Sequence, residues 1–182
     1  MKIKYADLID QPRYFPQDAF KYEDQQLYFH DIPLMDLVEK FGTPLKFSYL
    51  PKISQNIQRA KTWFKDAIKK NEYKNSYRYC YCTKSSHFSF VLEEALKNDI
   101  SIETSSAFDM NIVKNLFETG KIDKTIEVVC NGFKTDDYLA KISDLINNGF
   151  ENVIPVLDNY RELDKLTESI DTTFDIGIRI AS

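Results

Sequence analysis

The feature that most constrains the fold is a regular alternation, from Tyr77 onward, between β-rich runs and segments with helical apolar spacing. The β-rich runs predict strands at residues 77–83, 100–104, 125–130, 152–157 and 174–180. Strands separated by helices pair in parallel, because each helix returns the chain to the edge where the next strand begins. The sequence therefore predicts an α/β protein with five parallel strands.

Apolar side chains at helical spacing fill the gaps between the predicted strands. The stripes consist of Phe88, Val91, Leu92, Ala95 and Leu96, then Ile112, Val113, Leu116 and Phe117, then Tyr138, Ile142, Leu145 and Ile146. They predict three helices, and a fourth, shorter helix is predicted around Leu163. Gly120 and Gly149 come just past the second and third stripes, where a left-handed residue commonly ends a helix.

The chain ahead of this unit follows a different pattern. Residues 33–41 predict a helix that ends at Gly42. Residues 45–50 are predicted to form a strand, and Pro51 is predicted to open a long amphipathic helix. The first thirty residues are rich in Tyr, Phe and Gln and show no clear period, so they predict no regular element.

Repeated βα units build either an open doubly wound sheet or a closed barrel of eight strands. No Gly-x-Gly-x-x-Gly motif follows any predicted strand, which disfavours a dinucleotide-binding open sheet. Polar residues recur instead at the carboxyl ends of the strands, where barrels gather their catalytic groups. These residues are Lys84, Glu103, Asn131, Asp158 and Arg179. The sequence therefore predicts part of a (β/α)8 TIM barrel.

Five strands cannot close a barrel of eight, so Ser182 is expected to lie in the middle of a domain. On this interpretation residues 1–44 are an amino-terminal segment with a helix, and residues 45–182 are the amino-terminal part of the barrel. The remainder of the barrel would lie beyond Ser182.

Charge and hydropathy disfavour two classes of partner. Twenty-four basic and twenty-eight acidic side chains give a net charge of −4, which provides no broad positive field for nucleic acid or an anionic membrane. No apolar run approaches the length of a membrane span, and the first residues lack the apolar stretch of a signal peptide. We therefore expect a cytoplasmic protein with neither nucleic acid nor membrane as a partner.

The three cysteines, Cys80, Cys82 and Cys130, form no Cys-x-x-Cys pair, and only two histidines, His30 and His87, are available as further ligands. Neither a disulfide framework nor a metal site is expected. All three cysteines are predicted to be small buried hydrophobes.

Lys84 lies where the first predicted strand of the repeat gives way to a helix. The period of two places Cys80, Cys82 and Lys84 on one strand face and the tyrosines on the other. In a closed barrel that face points inward, so the small cysteines leave room for a flat ring with the lysine at its mouth. A pyridoxal phosphate Schiff base needs such an arrangement, whereas the alternative is a solvated strand-end lysine.

Five segments, in this order, resemble the fold-type III pyridoxal phosphate decarboxylases, and among them the biosynthetic arginine decarboxylases. They are FGTPL at residues 41–45, YCTKS at 81–85, IETSSAFD at 102–109, VCNGFK at 129–134 and IRIAS at 178–182. The resemblance runs from about Leu27 to the end. Cys82 and Thr83 stand where relatives usually have a small residue and a valine, which indicates a divergent subgroup.

The resemblance implies a full-length enzyme that converts L-arginine to agmatine and CO2 in polyamine and spermidine biosynthesis. It implies pyridoxal 5'-phosphate as cofactor, a small amino acid as substrate and a homodimer or higher homo-oligomer. The 182-residue chain by itself is expected to be inactive. The alternatives are decarboxylation of ornithine, diaminopimelate or carboxynorspermidine, or a non-catalytic regulatory homologue.

The resemblance also assigns site residues. Lys84 is the catalytic lysine that binds the cofactor, Cys82 faces the cofactor ring and Glu103 lies close to the lysine. Arg179 belongs to the pocket and could pair with Glu103, Asp109 or a cofactor oxygen, the alternative being a structural salt bridge. Asp109 is either a pocket residue or a helix N-terminal acid, with Ser105 or Ser106 as the cap. Asn131 and Asp158 are predicted strand-end caps.

Overall fold

A computed structural model describes residues 19–180. Contacts divide the chain into two compact units, Met1–Ser48 and Tyr49–Ser182. The sequence places its predicted boundary slightly earlier, after residue 44. Each unit is described by itself below.

The described part of the first unit is a small antiparallel sheet followed by a helix. Its elements are β1 (Phe20–Glu23), β2 (Gln26–Phe29), β3 (Ile32–Pro33) and α1 (Leu34–Phe41). Asp24 and Gln25 both have positive φ, as does the pair His30 and Asp31, which suits two-residue hairpin turns. This sheet was not predicted from the sequence, but the predicted helix ending at Gly42 is confirmed.

The second unit alternates strands and helices along its whole length. Its elements are α2 (Pro51–Lys70), β4 (Cys80–Cys82), α3 (Ser89–Leu96), β5 (Ser101–Thr104), α4 (Ala107–Glu118), β6 (Glu127–Cys130), α5 (Asp136–Asn147), β7 (Asn152–Leu157), α6 (Tyr160–Ser169) and β8 (Gly177–Ile178). The strands form one sheet in the order β4-β5-β6-β7-β8, and every pair is parallel. The predicted α/β architecture with five parallel strands is therefore confirmed.

Local predictions within these units have mixed outcomes. Gly120 and Gly149 follow α4 and α5 with φ of 68° and 83°, as predicted for residues that end helices. The first and last strands of the sheet are shorter than predicted. The predicted strand at residues 45–50 is wrong, because this run forms no strand ladder with any other described residue. An extended run becomes a strand only where a neighbour accepts its backbone hydrogen bonds.

The core of the second unit lies between the helices and one face of the sheet. Ile102, Val128 and Val153 are buried there against α4 and α5 side chains such as Val113 and Ile142. Side chains that point the other way, including those of Glu103, Val129 and Ile154, are only half-buried. We call this second face, from which the core helices are absent, the open face.

None of the helices within residues 19–180 is long and apolar enough to cross a membrane. The same residues contain no cluster of three or more His, Cys, Asp or Glu side chains that could hold a metal ion.

Candidate active site

Five polar residues stand at the carboxyl ends of the five parallel strands. They are Lys84 after β4, Glu103 as the last residue but one of β5, Asn131 after β6, Asp158 after β7 and Arg179 after β8. Parallel strands present their carboxyl ends at one edge, so these side chains share that edge of the sheet. We call this set of five residues the rim.

Lys84 lies in a single 3-10 turn, Thr83–Ser85, that directly follows β4. Its side chain is exposed and makes no hydrogen bond or ion pair with any residue between 19 and 180. The turn itself is anchored on both sides, because Thr83 Oγ1 donates to the Glu103 backbone oxygen at 3.0 Å and Tyr81 OH donates to the Ser86 oxygen at 3.0 Å. Burial raises the pKa of Tyr81, which keeps its hydroxyl a donor. The turn thus holds in place a lysine whose side chain has no partner among residues 19–180.

The strand before Lys84 has the predicted alternation. Tyr79 and Tyr81 pack on the helix side against Ile57 and Ile100. Cys82 lies on the open face opposite Glu103 in the strand register.

The burial predicted for the cysteines is only partly right. Cys130 is buried on the helix side, whereas Cys82 is half-buried and Cys80 is exposed. Cys80 and Cys82, whose burial was predicted wrongly, lie on the open face, which the core helices leave uncovered. The prediction failed because an alternation of period two does not reveal whether a second layer covers a given face.

Four rim residues are joined by side-chain contacts. Asn131 Nδ2 donates to Glu103 Oε1 at 3.2 Å, and Asn131 Oδ1 accepts from Arg179 Nη2 at 2.6 Å. Arg179 Nε lies 3.2 Å from Asp158 Oδ1 in an ion pair. The amide of Asn131 thus has a fixed orientation, and it connects the acid of β5 to the cation that follows β8. Asn131 also accepts from the Gly132 N–H at 3.0 Å, a local capping contact.

Arg179 was expected to pair with Glu103, Asp109 or a cofactor oxygen. Within residues 19–180 its ion pair is with Asp158, and it reaches Glu103 only through Asn131. Its side chain is half-exposed.

Asp109 has the contacts of a capping acid. Ser106 is the N-cap of α4 and accepts from the Asp109 N–H at 3.3 Å. Asp109 Oδ2 in turn accepts from the Ser105 N–H at 2.8 Å and from the Ser106 hydroxyl at 3.0 Å. This reciprocal pattern satisfies amides that the first helical turn leaves unpaired. The predicted role of Asp109 in the pocket stays a prediction.

Lys134 and Glu162 lie next to the rim but were not predicted from the sequence as site residues. Both side chains are buried behind the rim, and Lys134 Nζ lies 3.4 Å from Glu162 Oε2. The sequence does contain a signal for Glu162. Asn159, three residues earlier, is the N-cap of α6, and an N-cap residue followed three positions later by Glu is the pattern of a capping box. No local pattern indicates that Lys134 pairs with it.

The chemistry available at the rim follows from its charges. A lysine that has given up its proton can attack a carbonyl carbon, a carboxylate can accept that proton, and a half-exposed guanidinium can bind an anionic oxygen. Lys84, Glu103 and Arg179 supply these three groups on one edge of one sheet.

Comparisons with known proteins point to decarboxylases. The chain is 25% identical over 157 residues to the biosynthetic arginine decarboxylase of Rhodopirellula baltica, a match that covers 81% of this chain and 22% of the relative. No family model matches the chain.

Two crystal structures share the fold. Diaminopimelate decarboxylase from M. jannaschi matches with a TM-score of 0.73 at 20% identity, over 90% of this chain and 36% of that one. The biosynthetic arginine decarboxylase of Campylobacter jejuni matches with a TM-score of 0.66 at 17% identity, over 90% of this chain and 29% of that one.

The resemblance to decarboxylases drawn from the sequence is therefore confirmed in sequence similarity and in fold. The five-stranded sheet corresponds to the amino-terminal part of the decarboxylase barrel. The chain spans between about a fifth and about a third of the length of these relatives.

Proposed function

We propose that the protein is a pyridoxal phosphate-dependent amino acid decarboxylase in which Lys84 binds the cofactor. One observation carries the proposal: Lys84 is the rim residue whose charged group has no partner among residues 19–180, while Glu103, Asn131, Asp158 and Arg179 are linked to one another. A lysine kept free beside a linked polar network suits covalent attachment, since an ion-paired amine would first have to lose its partner.

Side chains on the open face and at the rim could accommodate the cofactor ring and the reacting groups around its aldehyde. Bound pyridoxal phosphate supplies the electron sink for loss of a carboxylate. Cys82, in register with Glu103, is small and leaves space in front of the sheet for a flat ring. Glu103 can hold a proton near the reacting amine, and Arg179 can orient an anionic oxygen with its guanidinium N–H groups, since its side chain is half-exposed. The described contacts of Asp109 support its capping role at the start of α4.

For the substrate we propose L-arginine, with agmatine and CO2 as products in polyamine synthesis. The support is the arginine decarboxylase relative in sequence and the arginine decarboxylase among the structural neighbours. A second candidate is diaminopimelate or a similar diamino acid, because the structure with the TM-score of 0.73 is a diaminopimelate decarboxylase. We further propose that the full-length protein acts in the cytoplasm as a homodimer or higher homo-oligomer.

Cofactor attachment is tested on the 182-residue chain itself. The chain is incubated with pyridoxal phosphate, reduced with borohydride, digested and analysed by mass spectrometry. We expect the pyridoxyl group mainly on Lys84, and its loss in Lys84→Ala. The matched control is Lys114→Ala, because Lys114 on α4 is also exposed and makes no hydrogen bond or ion pair with residues 19–180. Equal labelling of Lys84 and Lys114 would contradict the proposal.

Substrate choice is tested on the protein at the full length that its gene encodes. CO2 release is measured with arginine, ornithine and diaminopimelate in turn, for the natural protein and for Lys84→Ala. We expect arginine to be decarboxylated and Lys84→Ala to lose at least about 10³-fold in rate, since the residue binds the cofactor. Release from diaminopimelate alone would favour the second candidate. Release from none of them would favour a non-catalytic homologue.

A further inference from the structure

The buried pair Lys134 and Glu162 joins the segments that follow two neighbouring strands. Lys134 Nζ donates to the backbone oxygen of Gly132 at 2.9 Å and to that of Val156, and it lies 3.4 Å from Glu162 Oε2. Its side chain is fully buried and that of Glu162 is 3% exposed. One ammonium group therefore contacts the segment after β6, strand β7 and the first turn of α6.

Glu162 completes the connection from the other side. Its Oε1 accepts from the Lys134 backbone N–H at 3.0 Å, and its Oε2 accepts from the Asp158 backbone N–H at 2.9 Å. The side chain of Asn159 adds a contact to Oε1 at 3.3 Å. Most hydrogen bonds of these two buried charged groups are therefore made to the backbone of the two segments behind the rim.

This arrangement is a costly way to stabilise a fold. Removing two charges from water carries a desolvation penalty that their attraction often fails to exceed, and apolar side chains of similar size frequently stabilise a protein as well or better. What an apolar pair cannot do is hold several backbone groups at fixed directions and distances. Lys134 and Glu162 do hold backbone groups in this way, because they bind backbone oxygens and backbone N–H groups.

The backbone positions that the pair holds carry the two partners of Arg179. Gly132 directly follows Asn131, whose Oδ1 accepts from Arg179 Nη2 at 2.6 Å. The Asp158 N–H that Glu162 binds belongs to the residue whose Oδ1 lies 3.2 Å from Arg179 Nε. Arg179 spans the ends of β6 and β7, so the separation of these two ends decides whether it reaches both partners.

We propose that Lys134 and Glu162 are positioning residues that fix Asn131 and Asp158 at the separation that Arg179 needs. The pair thereby sets the direction of the guanidinium and, through Asn131, that of the Glu103 carboxylate. That this geometry serves a cofactor rests on the proposed function. The positioning itself does not, because each contact lies within the chain alone.

The test separates positioning from stability with a double variant. In Lys134→Met, Glu162 remains buried without its partner, and we expect the melting temperature to fall by roughly 10 °C. In Lys134→Met with Glu162→Leu no buried charge is left, so we expect part of that loss to be recovered, although the Lys134 and Asp158 N–H groups then lack the acceptor that Glu162 supplied. A melting temperature alone does not distinguish the loss of backbone positioning from the loss of the ion pair, so a second measurement is needed.

The discriminating measurement is the Arg179 side-chain signal in ¹H–¹⁵N NMR spectra of the 182-residue chain without cofactor, assigned with Arg179→Lys. A guanidinium held by two partners rotates slowly about its Nε–Cζ bond and exchanges its Nε proton slowly. We expect a slowly exchanging Arg179 Nε–H in the natural chain, and exchange at least about ten-fold faster in the double variant.

Lys61→Met is the matched control. Lys61 also donates to backbone oxygens, those of Asn98 and Asp99, but these lie before β5 at the opposite edge of the sheet. We expect this variant to lose stability and to keep the slow Arg179 signal. A double variant that kept the slow signal would overturn the proposal, and so would one that failed to fold, because the pair would then be required for the fold itself and not for the position of Arg179. Since the spectra are recorded without cofactor, a failure of labelling at Lys84 would leave this result intact.

Discussion

Thr83 Oγ1 donates a 3.0 Å hydrogen bond to the backbone oxygen of Glu103 on the neighbouring strand. Thr83 is fully buried and directly precedes Lys84, and Cys82 on its other side is paired in register with Glu103. One hydroxyl group therefore ties the turn that carries the proposed cofactor lysine to the strand that carries the proposed acid. This role of Thr83 was not predicted from the sequence.

The first prediction concerns this hydroxyl. Thr83→Val keeps the shape and burial of the side chain but removes the donor, so we expect the free energy of unfolding to fall by about 1–2 kcal/mol. Urea denaturation measures it. The control is Thr167→Val, because Thr167 is exposed on α6 and its hydroxyl also donates to a backbone oxygen, that of Leu163 at 3.1 Å. Equal losses at the two positions would mean that the buried hydrogen bond of Thr83 contributes no more to the free energy of unfolding than an exposed one.

The second prediction concerns the turn after β6. Gly132 has a φ of 75°, and a Cβ added there would lie 3.2 Å from the Ser105 backbone oxygen. Gly132→Ala should therefore lose about 1–2 kcal/mol for the left-handed backbone and roughly another 1 kcal/mol for the close approach. Gly120→Ala isolates the first contribution, since Gly120 has a φ of 68° with no atom within 4 Å. If Gly120→Ala cost as much as Gly132→Ala, the close approach to Ser105 would be relieved by small shifts.

The third prediction separates the two roles considered for Asp109. Asp109→Asn keeps an oxygen that can accept from the Ser105 and Ser106 donors, so its stability should change by less than about 1 kcal/mol. Asp109→Ala leaves the Ser105 N–H without its acceptor, and we expect a loss of about 1–2 kcal/mol in urea denaturation. Pyridoxal phosphate labelling of Lys84 should be unchanged in the folded Asn variant. Strong loss of labelling with unchanged stability would assign Asp109 to the cofactor pocket instead.

The existence of the rim could be predicted from sequence, whereas its pairing could not. A residue that follows a parallel strand must lie at the carboxyl edge of the sheet, so local pattern was sufficient to place Lys84, Glu103 and Arg179 there. Which rim residues touch depends on strand order. With β6 and β7 between them, the backbones of β5 and β8 lie roughly 14 Å apart across three strand spacings, so Glu103 and Arg179 do not meet directly. Asn131 and Asp158 fill that interval, which makes them the partners of Arg179.

The remaining differences arise from contacts distant in sequence. Lys134 and Glu162 are 28 residues apart, and an alternating strand pattern cannot reveal a lysine that turns back beneath its own loop. The hairpins of the first unit escaped notice because β1 to β3 are short and mostly exposed or half-buried, so their side chains show no clear apolar period. Residues 45–50 show the opposite error: their composition is typical of a strand, but they have no strand partner among the described residues.

The last prediction is a dependence of stability on pH that comes from Cys130. This thiol is fully buried on the helix side of β6, and burial raises its pKa from 9.0 to about 11 because the thiolate is poorly solvated there. Between these two pH values the unfolded chain has lost the proton that the folded chain keeps. The unfolded state then binds fewer protons, so the free energy of unfolding falls as pH rises. The total loss is about 2–3 kcal/mol.

Urea denaturation at several values between pH 8 and pH 11 measures this slope, with Cys130→Ala as the comparison. The Ala variant starts less stable because it leaves a small cavity, but its slope above pH 9 should be shallower by the contribution of one proton. Burial and, to a smaller extent, the Cys130 thiol raise the pKa of Tyr138, so the two slopes are compared below pH 10, where tyrosine keeps most of its protons in both states. Parallel slopes for the two proteins would show that the Cys130 thiol reaches solvent and ionises in the folded chain.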